Sequence, residues 1–145
     1  MVKSLETMFM RVERMNSNAQ AIAEFLETNG KIKAVRYPGL KSHPQHKLAM
    51  QQMNGAGGTT IGIEFKGGKS EAFKFMNALR VIDISNNLGD SKSLITHPAS
   101  TTHSQLKPDE QLTAGVTPGL VRLSVGIENV ADIKADLEGG FAAAK

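Results

Sequence analysis

Cysteine is absent from the 145 residues, which removes disulfides, thiolate catalysis and cysteine-based zinc or iron–sulfur sites. Aromatic residues are scarce at 5%, and the 17 lysines and arginines form no basic run despite a formal charge of +3 and a pI near 9.3. Lacking both a charged groove and rings on which bases could stack, the chain is not expected to bind nucleic acid. No apolar run approaches the roughly eighteen residues that a membrane span needs. The opening residues do not read as a secretion signal either, so a cytoplasmic protein with no membrane partner is expected. Internal repeats and low-complexity stretches are missing as well. What remains is a composition of 40% hydrophobic and 21% charged residues on a chain the size of one domain, enough to bury a single core.

Periodicity organises that core. Leu5, Met8, Phe9, Val12, Met15, Ala19, Ile22, Ala23 and Leu26 recur at three- and four-residue steps, which predicts one long helix stopped at Asn29-Gly30. So long a helix at the very start has little ahead of it to pack against. IKAVRYP (32–38) reads as a strand closed by Pro38-Gly39, and residues 43–53 as a short helix with Pro44 in its first turn. TTIGIEF (59–65) is a strand with Ile61, Ile63 and Phe65 on one face. Residues 70–79 are helical, with Ala72, Phe73, Met76 and Leu79 as the stripe. VIDIS (81–85), SLITH (93–97) and LVRLSVG (120–126) are strands, and residues 108–114 allow one or two helical turns. A last helix carries Val130, Ile133, Leu137 and Phe141 behind an Asn129/Asp132 capping pair. The expected fold class is α+β, a small mixed, mainly antiparallel sheet with helices packed on one face.

Several stretches look chemical. FKGGKS (65–70) holds the GK[ST] end of a phosphate loop, but Ile63 stands where the first glycine must turn the backbone, so a plain turn is expected. His43 and His46 have metal-ligand spacing without a third ligand nearby, and ordinary exposed histidines are expected. Ser100, His103 and Asp90 lack the glycine pattern of a nucleophile elbow, and no triad is expected. In LVRLSVG, alternation gives Val121, Leu123 and Val125 to the core and turns Arg122 and Ser124 the other way. Arg122 is then either a solvated surface residue, which spacing alone favours, or a fixed guanidinium whose fork fits a carboxylate. VIDISNNLGD is open in the same way, between a plain turn and a backbone-rich substrate wall.

Taken together the segments are not anonymous. SNNLGDSKSLITHPASTTHSQL, followed by AGVTPGLVRLSVGIENVADIKADLE, resembles the C-terminal domain of the PLP-dependent Cys/Met-metabolism enzymes. LETMFMRVERMNSNAQAIAEFLE resembles the helix entering that domain, and AVRYPGLKSHPQHKLAMQQM the strand and helix after it. The resemblance is collinear over nearly the whole chain and is greatest to the O-succinylhomoserine and O-acetylhomoserine sulfhydrylases. Asn87 stands where lyase-like members tend to carry serine. The resemblance implies a domain of a fold-type I PLP-dependent transferase, with residues 1–30 as an interdomain helix and 31–145 as the substrate-carboxylate domain. It implies that Arg122 grips the α-carboxylate of an amino-acid substrate, with the Asn87 backbone against that carboxylate and Leu88 following. Thr102 matches a threonine of the carboxylate pocket, and Asn86 a position that helps choose the substrate. His97 and His103 are expected to be structural.

The implied reaction is γ-replacement, sulfide plus O-succinyl- or O-acetylhomoserine giving homocysteine for methionine biosynthesis, with pyridoxal 5'-phosphate as cofactor. None of the twelve lysines sits in the family's Ser-x-Thr-Lys type motif. The cofactor-binding lysine, phosphate cup, ring tyrosine and pyridinium aspartate belong to an N-terminal domain outside this sequence. The chain therefore reads as a C-terminal fragment or split product, not catalytic alone and unable to bind the cofactor covalently. The first helix and the Arg122 strand face are expected to meet the missing domain, and self-association into a homo-oligomer, a tetramer in the family, is implied. A free-standing amino-acid-binding or regulatory module and an inactive truncation are the alternatives.

Overall fold

The computed structural model describes residues 2–144. Helices α1 (Val2–Glu6) and α2 (Met8–Glu27) lead into strand β1 (Ile32–Arg36), helix α3 (His46–Gln52), strand β2 (Thr60–Phe65) and helix α4 (Gly68–Asn77). Strands β3 (Asp83–Ile84) and β4 (Leu94–Thr96) follow. A 3-10 turn at Pro98–Ser100, helix α5 (Pro108–Thr113), strand β5 (Leu120–Ser124) and helix α6 (Val130–Ala143) complete the chain.

The five strands form one sheet in the order β1-β2-β5-β4-β3, antiparallel throughout except for the parallel β3–β4 pair. The expected α+β class and mainly antiparallel sheet are what the structure has. Alternation sorts the sheet's faces. Ile61, Ile63, Phe65, Ile95, Val121 and Leu123 point into the core and meet Ile22 and Leu26 of α2, Phe75 of α4, and Ile133, Leu137 and Phe141 of α6. Phe65, Phe75 and Phe141 pack ring to ring at 4.7–6.0 Å, in the tilted geometry that aromatic quadrupoles favour.

Two local expectations change. The predicted stripe of α4 named Phe73, yet Phe75 is the fully buried ring, and Phe73 turns to meet the His97 imidazole at 5.1 Å. The single opening helix is interrupted at Thr7, and its stripe divides. Met15, Ala19, Ile22, Ala23 and Leu26 are buried, whereas Leu5, Phe9 and Val12 are 60%, 79% and 42% exposed. The first half follows the same heptad-like pattern but has no sheet beneath it.

Polar groups tie the helices to the sheet. Asn18 of α2, 2% exposed, donates through Nδ2 to the carbonyls of Gly126 and Glu128 at 3.0 and 2.9 Å. Asp136 of α6 accepts the backbone N–H groups of Arg80, Val81 and Ile82 at 2.7–3.0 Å and so fixes the approach to β3. Asn129 caps α6 by accepting from Ala131 N–H at 2.9 Å, as its position predicted. At the other end Lys31 donates to the carbonyls of Phe141 and Ala144, a cation placed where the helix dipole is negative.

Asn18 satisfies two buried carbonyls at once. Asn18→Ala is expected to destabilise the fold by about 2–3 kcal/mol, the cost of leaving buried acceptors unpaired. Asn18→Asp should cost more, since a carboxylate cannot donate to a carbonyl. Urea denaturation of the three proteins measures both.

Candidate functional site

On the sheet face opposite the hydrophobic core, four residues stand in one cross-strand row. Register places Arg36 beside Gly62, Gly62 beside Arg122, and Arg122 beside Thr96. The missing side chain at Gly62 keeps the two arginines from being bridged by intervening bulk. Their partners differ. Arg36 is committed, its Nη2 to Glu64 at 2.9 Å and its Nη1 to the Gly115 carbonyl at 3.1 Å. Arg122 pairs with no carboxylate among the described residues. Its Nη2 donates to the carbonyls of Asn86 and Asn87 at 2.7 and 3.2 Å, and its Nε is buried with no partner in the protein.

The loop that supplies those carbonyls, residues 85–92, is stitched to the end of β5. Gly89 adopts φ of 76°, which L side chains rarely tolerate, and its N–H donates to the fully buried Ser124 hydroxyl at 3.0 Å. At Gly126 a Cβ would lie 2.4 Å from the Ser91 carbonyl oxygen, so only glycine lets the two backbones approach this closely. Glu128 then takes Ser93 by both its N–H and its hydroxyl, at 2.5 and 2.9 Å, while the Ser93 hydroxyl accepts from Gly126 N–H.

The small hydroxyl residues after β4 build the other wall. Thr96, 1% exposed, donates to Asn86 Oδ1 at 3.0 Å and contacts the Thr101 hydroxyl at 2.9 Å. His97 is buried, with Nδ1 on Ser100 Oγ at 2.7 Å and Nε2 on the Pro118 carbonyl at 2.9 Å, the structural role expected of it.

Of the candidate residues, Arg122, Asn86 and Asn87 are in direct contact. Leu88 follows them on the exposed loop at 60% accessibility. Thr102 is exposed and its hydroxyl pairs with His103 Nδ1 at 2.9 Å, while the neighbouring Thr101 carries the link to Thr96. Alternation placed Ser124 on the Arg122 side of its strand without giving it a role, and Thr96 escaped sequence reasoning although it is a hydroxyl residue on the same side.

The other chemical-looking stretches resolve simply. Ser100 pairs with His97, His103 with Thr102, and Asp90 with Ser91 and the Lys92 N–H, so they form no triad. Asp90 is pulled below its usual carboxylate range, first by the Lys92 N–H and then by the Ser91 hydroxyl. At GGK the Glu71 carboxylate accepts the Gly67 N–H at 2.6 Å, putting a negative group where a phosphate would have to sit. Among the described residues no group of three His, Cys, Asp or Glu could hold a metal ion. The lone tyrosine, Tyr37, is fully buried with its hydroxyl donating to the Gly58 carbonyl at 2.9 Å, and burial chiefly pushes its phenol up to about 12.

Residues 1–142 match the family described as Cys/Met metabolism PLP-dependent enzyme. The chain is 43% identical over 142 residues to an O-succinylhomoserine sulfhydrylase of Pseudomonas aeruginosa, covering 98% of this chain and 35% of the relative. It is 48% identical to an O-acetyl-L-homoserine sulfhydrylase of Leptospira meyeri, covering 94% of this chain and 31% of that one. An L-methionine gamma-lyase of Pseudomonas putida is 44% identical over 95% of this chain and 34% of its own. The crystal structure of a putative O-acetylhomoserine (thiol)-lyase from Campylobacter jejuni, which holds a pyridoxyl-lysine phosphate adduct, superposes with a TM-score of 0.91. It is 39% identical, over 97% of this chain and 33% of that one. The chain thus spans about a third of the length of the curated relatives it matches.

Glu64 yields a pH prediction for this face. The Lys33 hydrogen bond holds its carboxyl below the usual range, burial works the other way, and Arg36 adds to the lowering. A carboxylate with a depressed folded-state pKa contributes stability that is complete above its unfolded value and lost as pH falls through the folded one. Wild type should therefore exceed Glu64→Gln in stability at neutral pH, with the gap closing below the ordinary glutamate range. Denaturant midpoints across a pH series read this directly, and a gap that persists in acid counts against the ion pair.

Proposed function

Because the chain belongs to the Cys/Met metabolism family of PLP-dependent enzymes, we propose that it supplies the substrate-carboxylate clamp of a homoserine-ester sulfhydrylase. The observation carrying this reading is Arg122, a guanidinium anchored by two backbone carbonyls through Nη2, with a buried Nε–H left unpaired and no protein carboxylate on it. A fixed cation whose Nη1 donates to none of the described residues fits the acid end of an amino acid. Residues 31–145 form the clamp domain and residues 1–30 the helix that connects it to the cofactor-bearing part.

The family's cofactor is pyridoxal 5'-phosphate, which supplies the electron sink for carbanion chemistry when bound. The donor set around Arg122 comprises a guanidinium, carbonyls, an amide and hydroxyls, with no amine among them. Lys33, whose ammonium reaches this sheet face, is tied to Glu64 at 2.8 Å. These residues suit the substrate's acidic end and not the cofactor. What Arg122 contributes is orientation. Gripping the carboxylate fixes the rotation of the substrate about its Cα, which sets the bond to be broken and replaces random encounter with near-attack geometry. Asn86, whose Oδ1 is taken by Thr96, has an Nδ2 donor pair to offer a leaving-group ester, and the loop from Asn87 to Leu88 and exposed Thr102 border the same ligand.

Arg122→Lys in the PLP-loaded enzyme containing this chain is expected to lower kcat/KM for O-acetyl- or O-succinylhomoserine by about two orders of magnitude. KM should rise and kcat fall together, because a lysine lacks the planar guanidinium that the two carbonyls hold in place. A variant with unchanged constants overturns the assignment. Running both esters, and methionine for elimination, decides between sulfhydrylase and lyase activity.

The exposed stripe of Leu5, Phe9 and Val12 supports a covering partner, the cofactor domain or a second copy of the chain. The isolated chain is expected to self-associate with rising concentration in light scattering, and Phe9→Glu to weaken that association. A monodisperse wild-type monomer at high concentration counts against the proposal.

A further inference from the structure

We infer that Thr96 is a positioning residue for the clamp, acting through Asn86 on the guanidinium of Arg122. The inference rests on the reading of Arg122 as a carboxylate anchor and adds the group that holds the anchor in place.

Thr96 is buried to 1% in β4, where valine would fill the same space and suit a strand equally well. What threonine adds is one hydroxyl, and a buried hydroxyl must find partners. Here they belong to two different segments, Asn86 Oδ1 in the 85–92 loop at 3.0 Å and Thr101 Oγ1 after the 3-10 turn at 2.9 Å. Thr101 Oγ1 also lies 2.8 Å from the His97 carbonyl, and its one proton serves either that carbonyl or the Thr96 oxygen. The His97 ring is fixed by Ser100 and the Pro118 carbonyl.

Asn86 is thereby gripped at both ends. Its side chain is held by Thr96, and its carbonyl accepts from Arg122 Nη2 at 2.7 Å. Thr96 and Arg122 are direct cross-strand partners, so the distance between the two grips is set by the sheet. Asn86 is otherwise an exposed loop residue, and exposed loops move more than the strands they join. The hydroxyl transfers the rigidity of β4 to the loop carbonyl that locates the guanidinium. If Thr96 were only core filling, its hydroxyl would be dispensable to ligand binding.

The test uses the PLP-loaded enzyme containing this chain. Thr96→Val is expected to raise KM for the homoserine ester, and the inhibition constant of glycine, by about tenfold each, the order of one lost hydrogen bond. kcat should change less, and Thr96→Ser should restore both constants. Methylamine, which lacks the carboxylate, should inhibit wild type and Thr96→Val equally. A glycine constant unmoved by Thr96→Val, or a methylamine constant moved as far as that of glycine, overturns the inference. Should Thr96→Val fail to fold, Asn86→Leu cuts the same bond from the other side, and its glycine constant decides on the same terms. Arg122→Lys run in parallel separates the two claims. A loss there with none at Thr96 sinks only the positioning role, and no loss at either sinks the anchor as well.

Discussion

Two hydrogen bonds from one nitrogen, Arg122 Nη2 to the carbonyls of Asn86 and Asn87, fix the geometry on which the functional reading depends. Carbonyls orient a guanidinium without neutralising it. With Glu64 already taken by Lys33 and Arg36, the sheet's second face keeps Arg122 without a counterion among the described residues. The buried Nε–H sharpens the point. An unmet donor held away from water costs about 1–3 kcal/mol, so the fold holds this guanidinium in place at some expense.

Everything around that cation serves to keep a surface loop still. The loop of residues 85–92 could not lie so near β5 if Gly126 carried a side chain, nor turn as it does without Gly89. Ser124 and Ser93 are both fully buried hydroxyl residues, and both spend their hydroxyls on backbone N–H groups or carboxylates of neighbouring segments. Polar side chains inside a protein of this size are expensive unless paired. Their concentration at one end of β4 and β5 marks a region where polar pairing, and not hydrophobic burial, holds the segments together.

Much of this was legible beforehand, and the reasons differ by residue. Val121, Leu123 and Val125 announced the inner face by alternation, and the same rule turned Arg122 outward. Alternation could not say whether Arg122 met solvent or a ligand, because that depends on what the distant residues 86 and 87 place beside it. The resemblance to a known family supplied that pairing. Phe75 was mistaken for a lesser residue than Phe73 because both satisfy a helical stripe, and only the neighbouring rings of Phe65 and Phe141 choose between them. Thr96 went unnoticed since a β-branched residue in a strand needs no further explanation. Its partner Asn86 is ten positions away, beyond the reach of any local pattern.

The amide of Asn18 has a geometric consequence of its own. Successive residues of an α-helix are turned by about 100° from one another, so a helix held by one buried side chain on two carbonyls cannot rotate about its axis without losing both. The azimuth of α2 is therefore locked to the Gly126–Glu128 turn, which also secures Ser93 at the end of the 85–92 loop. The exposed Phe9 and Val12 of the same helix inherit that bearing, so one amide sets the direction in which they face relative to the 85–92 loop.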